Sequence, residues 1–265
     1  MVFVDLCQRL RTARPEYGRM DPRVIKGIGP ASSPRPDREA RLIESVLRGL
    51  TLFRQVAPEH FDSVARHSYT VSARRGEVLC ERGHPLSGVY TVAFGAAQLA
   101  LRRPGYEEKV VRFLGPGDSF GEFAALQARP SPVALSALQD SSFVVMPPLV
   151  LLSLIERDHQ FARNLVRTLA EKFFVLLDEV EATAQMTAIE RLARYLAELA
   201  RPGGAERRGW VALLPTSKSG VAARLGITKE TMSRLLRELA SRGLIQVDGR
   251  EILVPDPTAL ATLAR

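Results

Sequence analysis

Cysteine is scarce in this chain, with two in 265 residues, Cys7 and Cys80, far apart in sequence. Such a pair builds no disulfide framework, so a reducing cytoplasm is the simplest home for it. Also missing is any apolar run long enough to cross a bilayer, and the Arg-dotted start has no secretory h-region. There is no HExxH, no phosphate-cradling glycine loop and no Ser/His/Asp order in motif context. Metal ligands are not clustered either, since His60, His67, His84 and His159 are scattered. An enzyme is therefore not expected. Acidic residues are outnumbered: 29 Asp and Glu against 37 Lys and Arg leave a formal net charge of +8, which favours a polyanionic partner.

What is present is organised around Ser217 to Ile245, two short helical patterns folded about Leu225-Gly226-Ile227. In the second pattern Met232, Leu235, Leu236 and Leu239 recur at i, i+3, i+4 and i+7, an apolar stripe that must face a core. Glu230, Ser233, Arg234 and Arg237 repeat that spacing two residues out of step and so point roughly the opposite way. Gly226 suits the φ > 0 turn between two steeply crossing helices, and Thr228 suits the N-cap of the second. Small residues at Gly220, Ala222 and Ala223 favour close approach of the two helices. This is the helix-turn-helix pattern, whose second helix enters the DNA major groove.

The rest of the chain divides by character, and its length suggests two domains. Residues 1–41 read as a disordered basic extension: residues 1–40 hold eight Lys and Arg against five Asp and Glu, with too little apolar surface to offset ordering entropy. Residues 42–150 open with helical patterns at Leu42 to Leu47 and Pro58 to His67. Short strand-like runs follow, from Tyr69 to Met146, punctuated by Gly, Pro and Asp, so an antiparallel barrel or sandwich is expected. Residues 151–187 belong to a long helix in which Val166, Leu169, Phe173, Leu176 and Val180 form a 3.5-residue seam, the mark of self-association. Residues 188–265 form a compact terminal module. In it Leu244 to Val247 and Glu251 to Val254 flank the turn Asp248-Gly249-Arg250, which makes a wing and the module a winged helix. The expected class is α+β: barrel, dimerisation helix, winged helix-turn-helix.

Gly115-Pro116-Gly117-Asp118-Ser119-Phe120-Gly121-Glu122, the long helix, and LGITKETMSRLLRELASRGLI followed by VDGREI resemble the CRP/FNR family of bacterial transcription regulators, over about residues 45–265. The resemblance implies a homodimer with a cyclic-nucleotide-binding-like jelly roll that senses an effector, a DNA partner, and RNA polymerase as a further partner. It points to the FNR/Dnr-like branch, because Glu230, Ser233 and Arg234 match that branch's E-x-x-S-R reading set. By resemblance Glu230 contacts a C and Arg234 a G, within half-sites of the TTGAT type. That chemistry suits a carboxylate accepting from cytosine N4 and a guanidinium donating to guanine O6 and N7. Lys229 and Thr231 flank the set, while Lys218 and Arg237 are candidates for phosphate contacts.

In the sensor the resemblance has gaps. Aligning Ala137-Leu138-Gln139-Asp140 on the family's A-L-x-D places Ser131-Pro132 where cyclic-nucleotide-binding members have an Arg-Ser or Arg-Thr pair gripping the phosphate. Neither residue is cationic, and Pro132 has no N–H. Arg129 lies two residues early. The adenine-contacting hydroxyl positions of the dimer helix correspond here to Leu176 and Leu177. Cyclic AMP is accordingly not expected, although the Gly121-Glu122 turn persists. An iron–sulfur cluster is not expected either, because two cysteines cannot supply four thiolates. The effector region is assigned to Gly121, Glu122, Arg129, Phe173, Leu176 and Leu177. Haem, responding to nitric oxide or redox state, remains open through the likeness to denitrification regulators. Phe173, Phe174, Leu176 and Leu177 would line its pocket, and His60, His67, His84, His159 or Cys80 would ligate it. An effector-independent DNA-binding regulator is the other alternative.

Overall fold

A computed structural model of the chain describes residues 37–102, 108–203 and 209–263. The basic extension, up to residue 36, and Cys7 lie outside the described residues. Two compact units emerge. One comprises the described residues through Arg102 together with Phe113–Glu171; the other comprises the described residues from Lys172 onward together with those between 108 and 112.

The first unit opens with α1 (Asp37–Gly49). This helix starts inside the stretch expected to be unstructured through residue 41. Its first-turn acids Asp37 and Glu39 complement the helix dipole, and Ile43 and Leu47 are buried beneath it. A 3-10 turn (Thr51–Phe53) leads to α2 (Pro58–His67), whose proline sits in the first turn, where its missing N–H costs nothing. Eight strands follow: β1 (Tyr69–Ala73), β2 (Val78–Cys80), β3 (Val89–Phe94), β4 (Ala97–Leu101), β5 (Lys109–Leu114), β6 (Ser119–Phe120), β7 (Ala134–Ala137) and β8 (Ser141–Met146), with the short helix α3 (Glu122–Gln127) after β6.

They form two separate four-stranded sheets, ordered β1-β8-β3-β6 and β2-β7-β4-β5. Of the barrel or sandwich expected, the structure takes the two-sheet jelly roll, with the sheets not closed into one barrel. Register irregularities between Val92 and Phe94 and between Val78 and Cys80 interrupt the pairing, as bulges do where strands bend. Gly88 and Gly95 permit close backbone passage, since a Cβ on either would stand 2.2 Å from Met146 O or Ser141 Oγ.

α4 (Pro148–Arg157) and α5 (His159–Gln185) complete this unit, the division between units falling within α5. The stretch 151–187, expected on one long helix, is interrupted at Asp158, and the helix ends before Met186-Thr187, close to the expected boundary. Phe53 packs edge-on against Phe61 (5.7 Å between centroids) and against Phe161 (5.4 Å), in the core that Ile43, Leu47 and Leu165 share.

Asp158 explains the first break. Its buried carboxylate caps α5 by accepting from Phe161 N (2.8 Å), and it also accepts from Ala57 N (3.0 Å) and pairs with His60 Nδ1 (3.0 Å). Burial pushes this carboxyl up. The hydrogen bonds from His60, Phe161 and Ala57, with the attraction of His60, outweigh burial and hold it below the ordinary carboxylate range. A depressed folded pKa contributes stability above the unfolded carboxylate value, and that stability is lost as pH falls through the folded value. Asp158→Ala should cost this unit about 2 kcal/mol at neutral pH. Thermal melts of variant and parent should converge in strong acid; a constant difference down to the lowest pH would contradict the assignment.

In the second unit α6 (Ala188–Leu199) starts with a capping box: Thr187 Oγ1 accepts from Glu190 N, while Thr187 N donates to Glu190 Oε2 (2.7 Å). β9 (Ala200–Pro202) and β10 (Trp210–Leu213) precede the helix pair α7 (Lys218–Leu225) and α8 (Lys229–Ser241). The hairpin β11 (Gln246–Asp248) and β12 (Glu251–Val254) and the helix α9 (Pro257–Thr262) end the module. The sheet runs β11-β12-β10-β9, with antiparallel pairing throughout. Among the described residues no helix is long and apolar enough to cross a membrane.

Candidate nucleic-acid interface and sensor region

Local chemistry fixes the helix pair at both ends. Ser217 Oγ accepts from Gly220 N (3.2 Å) and caps α7, and Gly226 closes α7 in the left-handed region at φ +66°. Thr228 Oγ1 then accepts from Thr231 N (3.2 Å) and caps α8. The small residue at Gly220 serves a different purpose from the one expected: a Cβ there would stand 2.5 Å from Thr216 Cγ2, so the space belongs to the preceding turn.

α8 has two opposed faces. Met232, Leu235, Leu236 and Leu239 are buried, whereas Glu230, Ser233, Arg234, Arg237 and Lys229 are exposed. Glu230 and Arg234, four residues apart, stand on one outward strip in the N-terminal half of the helix. Ser233 Oγ donates to Lys229 O (3.0 Å), which leaves the oxygen free to accept. Arg237 lies back along the helix, its Nε donating to Ser233 O (3.3 Å). Thr231 is half-buried, and its Oγ1 accepts from Thr228 Oγ1, so its first role is in the cap. Lys218, also half-buried, opens α7.

Residues that sequence reasoning missed brace this pair. Arg191 of α6 donates from Nη1 to Met186 O (2.6 Å) and from Nε to Leu225 O (3.2 Å). Arg224 of α7 pairs with Glu179 near the end of α5. In the wing, Arg250 donates from Nε and Nη2 to Leu214 O (3.1 and 2.7 Å). Arg191 directly follows the capping-box acid Glu190, a local signal that was there to be read. The Glu179–Arg224 pair spans 45 positions and has no local signal.

Along α5 the seam residues are not equivalent. Val166, Phe173, Leu176 and Val180 are exposed, Val166 at 66 % and Val180 at 64 %. Leu169 is partly buried against the first unit's own core, so it serves that core as well as the expected seam. Phe174, Val175 and Leu177 add to the exposed apolar surface.

In the sensor, Gly121 takes φ +110° at the start of α3, and a Cβ there would stand 2.7 Å from Gly88 O. The turn glycine is thus required by the close approach of two backbones. Glu122 is 1 % exposed and accepts from Ser119 Oγ at 2.6 Å. Ser131 is buried, with its hydroxyl donating to Val133 O (2.6 Å) and accepting from Val133 N (3.4 Å). Pro132 and Arg129 are exposed. Phe173, Leu176 and Leu177, assigned to the same region, lie on α5 in the other unit.

The haem-ligand candidates are dispersed. His60 and His67 both border a cavity of about 580 Å³ between α2 and α4, along with Val64, Leu149 and Leu154. His60 Nδ1 is taken up by Asp158, and His67 Nδ1 by Ser63 O (2.7 Å). His84 and His159 are exposed elsewhere. None of the aromatic or leucine residues expected to line a haem pocket borders that cavity. Cys80 is 7 % exposed, its thiol pushed up to about 11 by burial, partly offset by a hydrogen bond with Ser131. A buried thiol of that pKa is a poor metal ligand and a poor nucleophile. Within the first unit, the cavity beside His60 and His67 has none of the apolar residues expected to line haem and Cys80 is buried away from it, so these residues do not form the expected haem pocket there. In a Cys7→Ser variant at pH 8, no thiol should react rapidly with Ellman's reagent until denaturant is added; fast native labelling would contradict the placement of Cys80.

Comparison with known proteins follows the same division. The family described as cyclic nucleotide-binding domain matches residues 70–158, and that described as Crp-like helix-turn-helix domain matches residues 190–263. A CRP-like cAMP-activated global transcriptional regulator of Mycobacterium tuberculosis is 24 % identical over 224 residues, covering 84 % of this chain and 100 % of that one. The transcriptional activator protein FnrA of Stutzerimonas stutzeri is 27 % identical over 236 residues, covering 87 % and 95 %. The solved structure of FixK2 from Bradyrhizobium japonicum superposes with a TM-score of 0.65 at 28 % identity, covering 75 % of this chain and 98 % of that one.

Proposed function

The chain belongs to the CRP/FNR family of transcription regulators, a DNA-binding family whose members are not enzymes, and from that premise we propose that it acts as a homodimer reading FNR-type half-sites. The observation that carries this reading is α8, with four buried apolar residues on one face and Glu230, Ser233 and Arg234 exposed on the other. Glu230 accepts from a cytosine N4 amino group and Arg234 donates to guanine O6 and N7, while Ser233 and Lys229 tune the flanking preference. Lys218 and Arg237 bind phosphate, which fixes register without reading sequence.

Self-association is supported by the apolar strip on α5. Val166, Phe173, Phe174, Leu176 and Val180 all stand out from the chain, and contiguous apolar surface of this kind marks an interaction site. A second copy pairing along α5 would hold two reading helices about one duplex turn apart, as a two-fold symmetric operator needs. RNA polymerase is the further partner that membership of the family brings.

The effector is a small molecule other than cyclic AMP. Two relatives carry cyclic AMP in their names, one from Mycobacterium tuberculosis and one from Thermus thermophilus. In this chain the hydroxyl of Ser131 is spent on Val133 and Pro132 has no N–H, so the cationic grip on a cyclic phosphate is missing. Glu122 is engaged by Ser119. Selection of bound sites from random duplexes, read out by sequencing, tests the whole reading. An enriched palindrome with TTGAT-type arms is the expected result, and recovery of unenriched sequence would overturn it. Repeating the selection with cyclic AMP should leave affinity unchanged.

A further inference from the structure

The end of the long helix and the DNA-reading pair face each other with opposite charge. The last turns of α5 carry Asp178, Glu179 and Glu181, while α6 carries Arg191 and Arg194 and α7 carries Arg224. Four observations give this contact direction. Glu179 and Arg224 form an ion pair whose side chains are only 26 % and 20 % exposed, so it is less screened than a surface pair. Arg191 places one guanidinium on two helix C-termini, at Met186 O and Leu225 O, where carbonyls lack intrahelical partners and the dipoles favour a cation. Between α5 and α6 the chain is fixed by the Thr187–Glu190 capping box. The pKa of Arg194, paired with Glu198 at 2.9 Å, is raised first by that hydrogen bond and further by Glu198, Asp178 and Glu181, which places it in the same acidic field.

We propose that Glu179 is a positioning residue for DNA recognition: its pair with Arg224, acting with Arg191, latches α7 to the end of α5 so that the long helix sets where α8 points. The inference rests on the reading of α8 as the DNA-reading helix. Glu179 contacts no base. It acts through Arg224 on α7, and Gly226 and the Thr228 cap then carry the orientation to Glu230 and Arg234. Helical geometry breaks at Met186-Thr187, and the latch ties α7 back to α5 across that break. A loosened latch leaves the reading helix intact and lets its direction vary, which costs sequence-specific binding more than phosphate binding.

The test uses the full chain and the duplex recovered by selection, with a scrambled duplex as control. Glu179→Arg and Arg224→Glu should each weaken cognate binding about tenfold and scarcely change scrambled binding, and the double exchange should recover most of the loss. Glu179→Arg adds positive charge, so simple phosphate attraction would tighten binding; the opposite sign is the signature of a latch. Amides of Thr187 to Arg191 and of Gly226 to Thr228 should exchange hydrogen faster in each single variant and return to parental rates in the double. If Arg224→Glu does not fold, Glu179→Gln, which keeps the shape and removes the charge, carries the test. Cognate affinity unchanged in Glu179→Arg or Glu179→Gln, or simple additivity in the double exchange, overturns the latch. Should the parent select no sequence at all, the DNA-reading assignment fails, and hydrogen exchange still decides the latch.

Discussion

Glu230→Ala and Arg234→Ala are each expected to cost about 1–3 kcal/mol of discrimination at one position of the half-site, with little change in melting temperature. Both side chains are exposed on α8 and support no packing, so the stability effect is confined to the small dipole contribution, below about 1 kcal/mol, of Glu230 as a first-turn acid. Their loss should be selective. Replacing the C or G that each is assigned to read should cost the parent affinity and cost the matching variant nothing. Lys218→Ala gives the contrast, because a phosphate contact weakens cognate and scrambled duplexes alike. Fluorescence anisotropy on a panel of single-base operator variants distinguishes the two patterns. Uniform weakening across the panel by Glu230→Ala would remove that residue from the reading set.

The second large effect belongs to α5. Phe173→Glu places a charge on a strip whose neighbours Val166, Leu176 and Val180 are exposed in the single chain, and a carboxylate buried without a partner between two helices is strongly disfavoured. Sedimentation should show a monomer where the parent is a dimer. Operator affinity should fall by about a hundredfold, because the second half-site then binds as an independent molecule. The melting temperature of the first unit should hold, since its core is built from other residues, among them Phe161 and Leu165. A variant that stays dimeric would move the interface elsewhere.

Those two predictions depend on features the sequence made plain. Met232, Leu235, Leu236 and Leu239 are an i, i+3, i+4, i+7 set in the sequence and a buried stripe in the fold. Gly226 and Thr228 adopt the turn and cap that their chemistry favours. The first unit's strands fall within Tyr69 to Met146, where the short strand-like runs were expected. Periodicity and capping are local, so they can be read locally.

What was not legible depends on contacts distant in sequence. The choice between barrel and sandwich stayed open because strand partners such as Tyr69 and Val145 lie far apart in the chain, and alternation says which face is buried but not how many sheets share the core. Leu169 fits the heptad seam, yet the first unit's core claims it, since the same apolar residue satisfies either partner. The break at Asp158 could have been anticipated from an N-cap acid before an apolar run. Its bond to His60, 98 positions away, could not. β9, β10 and α9 were overlooked as well; the strands are only three and four residues long and carry too few positions for a period to register.

The bond from Arg250 to the Leu214 carbonyl bears on how much salt the protein would tolerate when bound to DNA. Two donors aimed at Leu214 O hold this guanidinium back from the hairpin tip, where Asp248 stands, so Arg250→Ala is expected to change the ionic-strength slope, about 0.9 per neutralised phosphate, by less than Lys218→Ala does. A titration of binding against potassium chloride reads the difference.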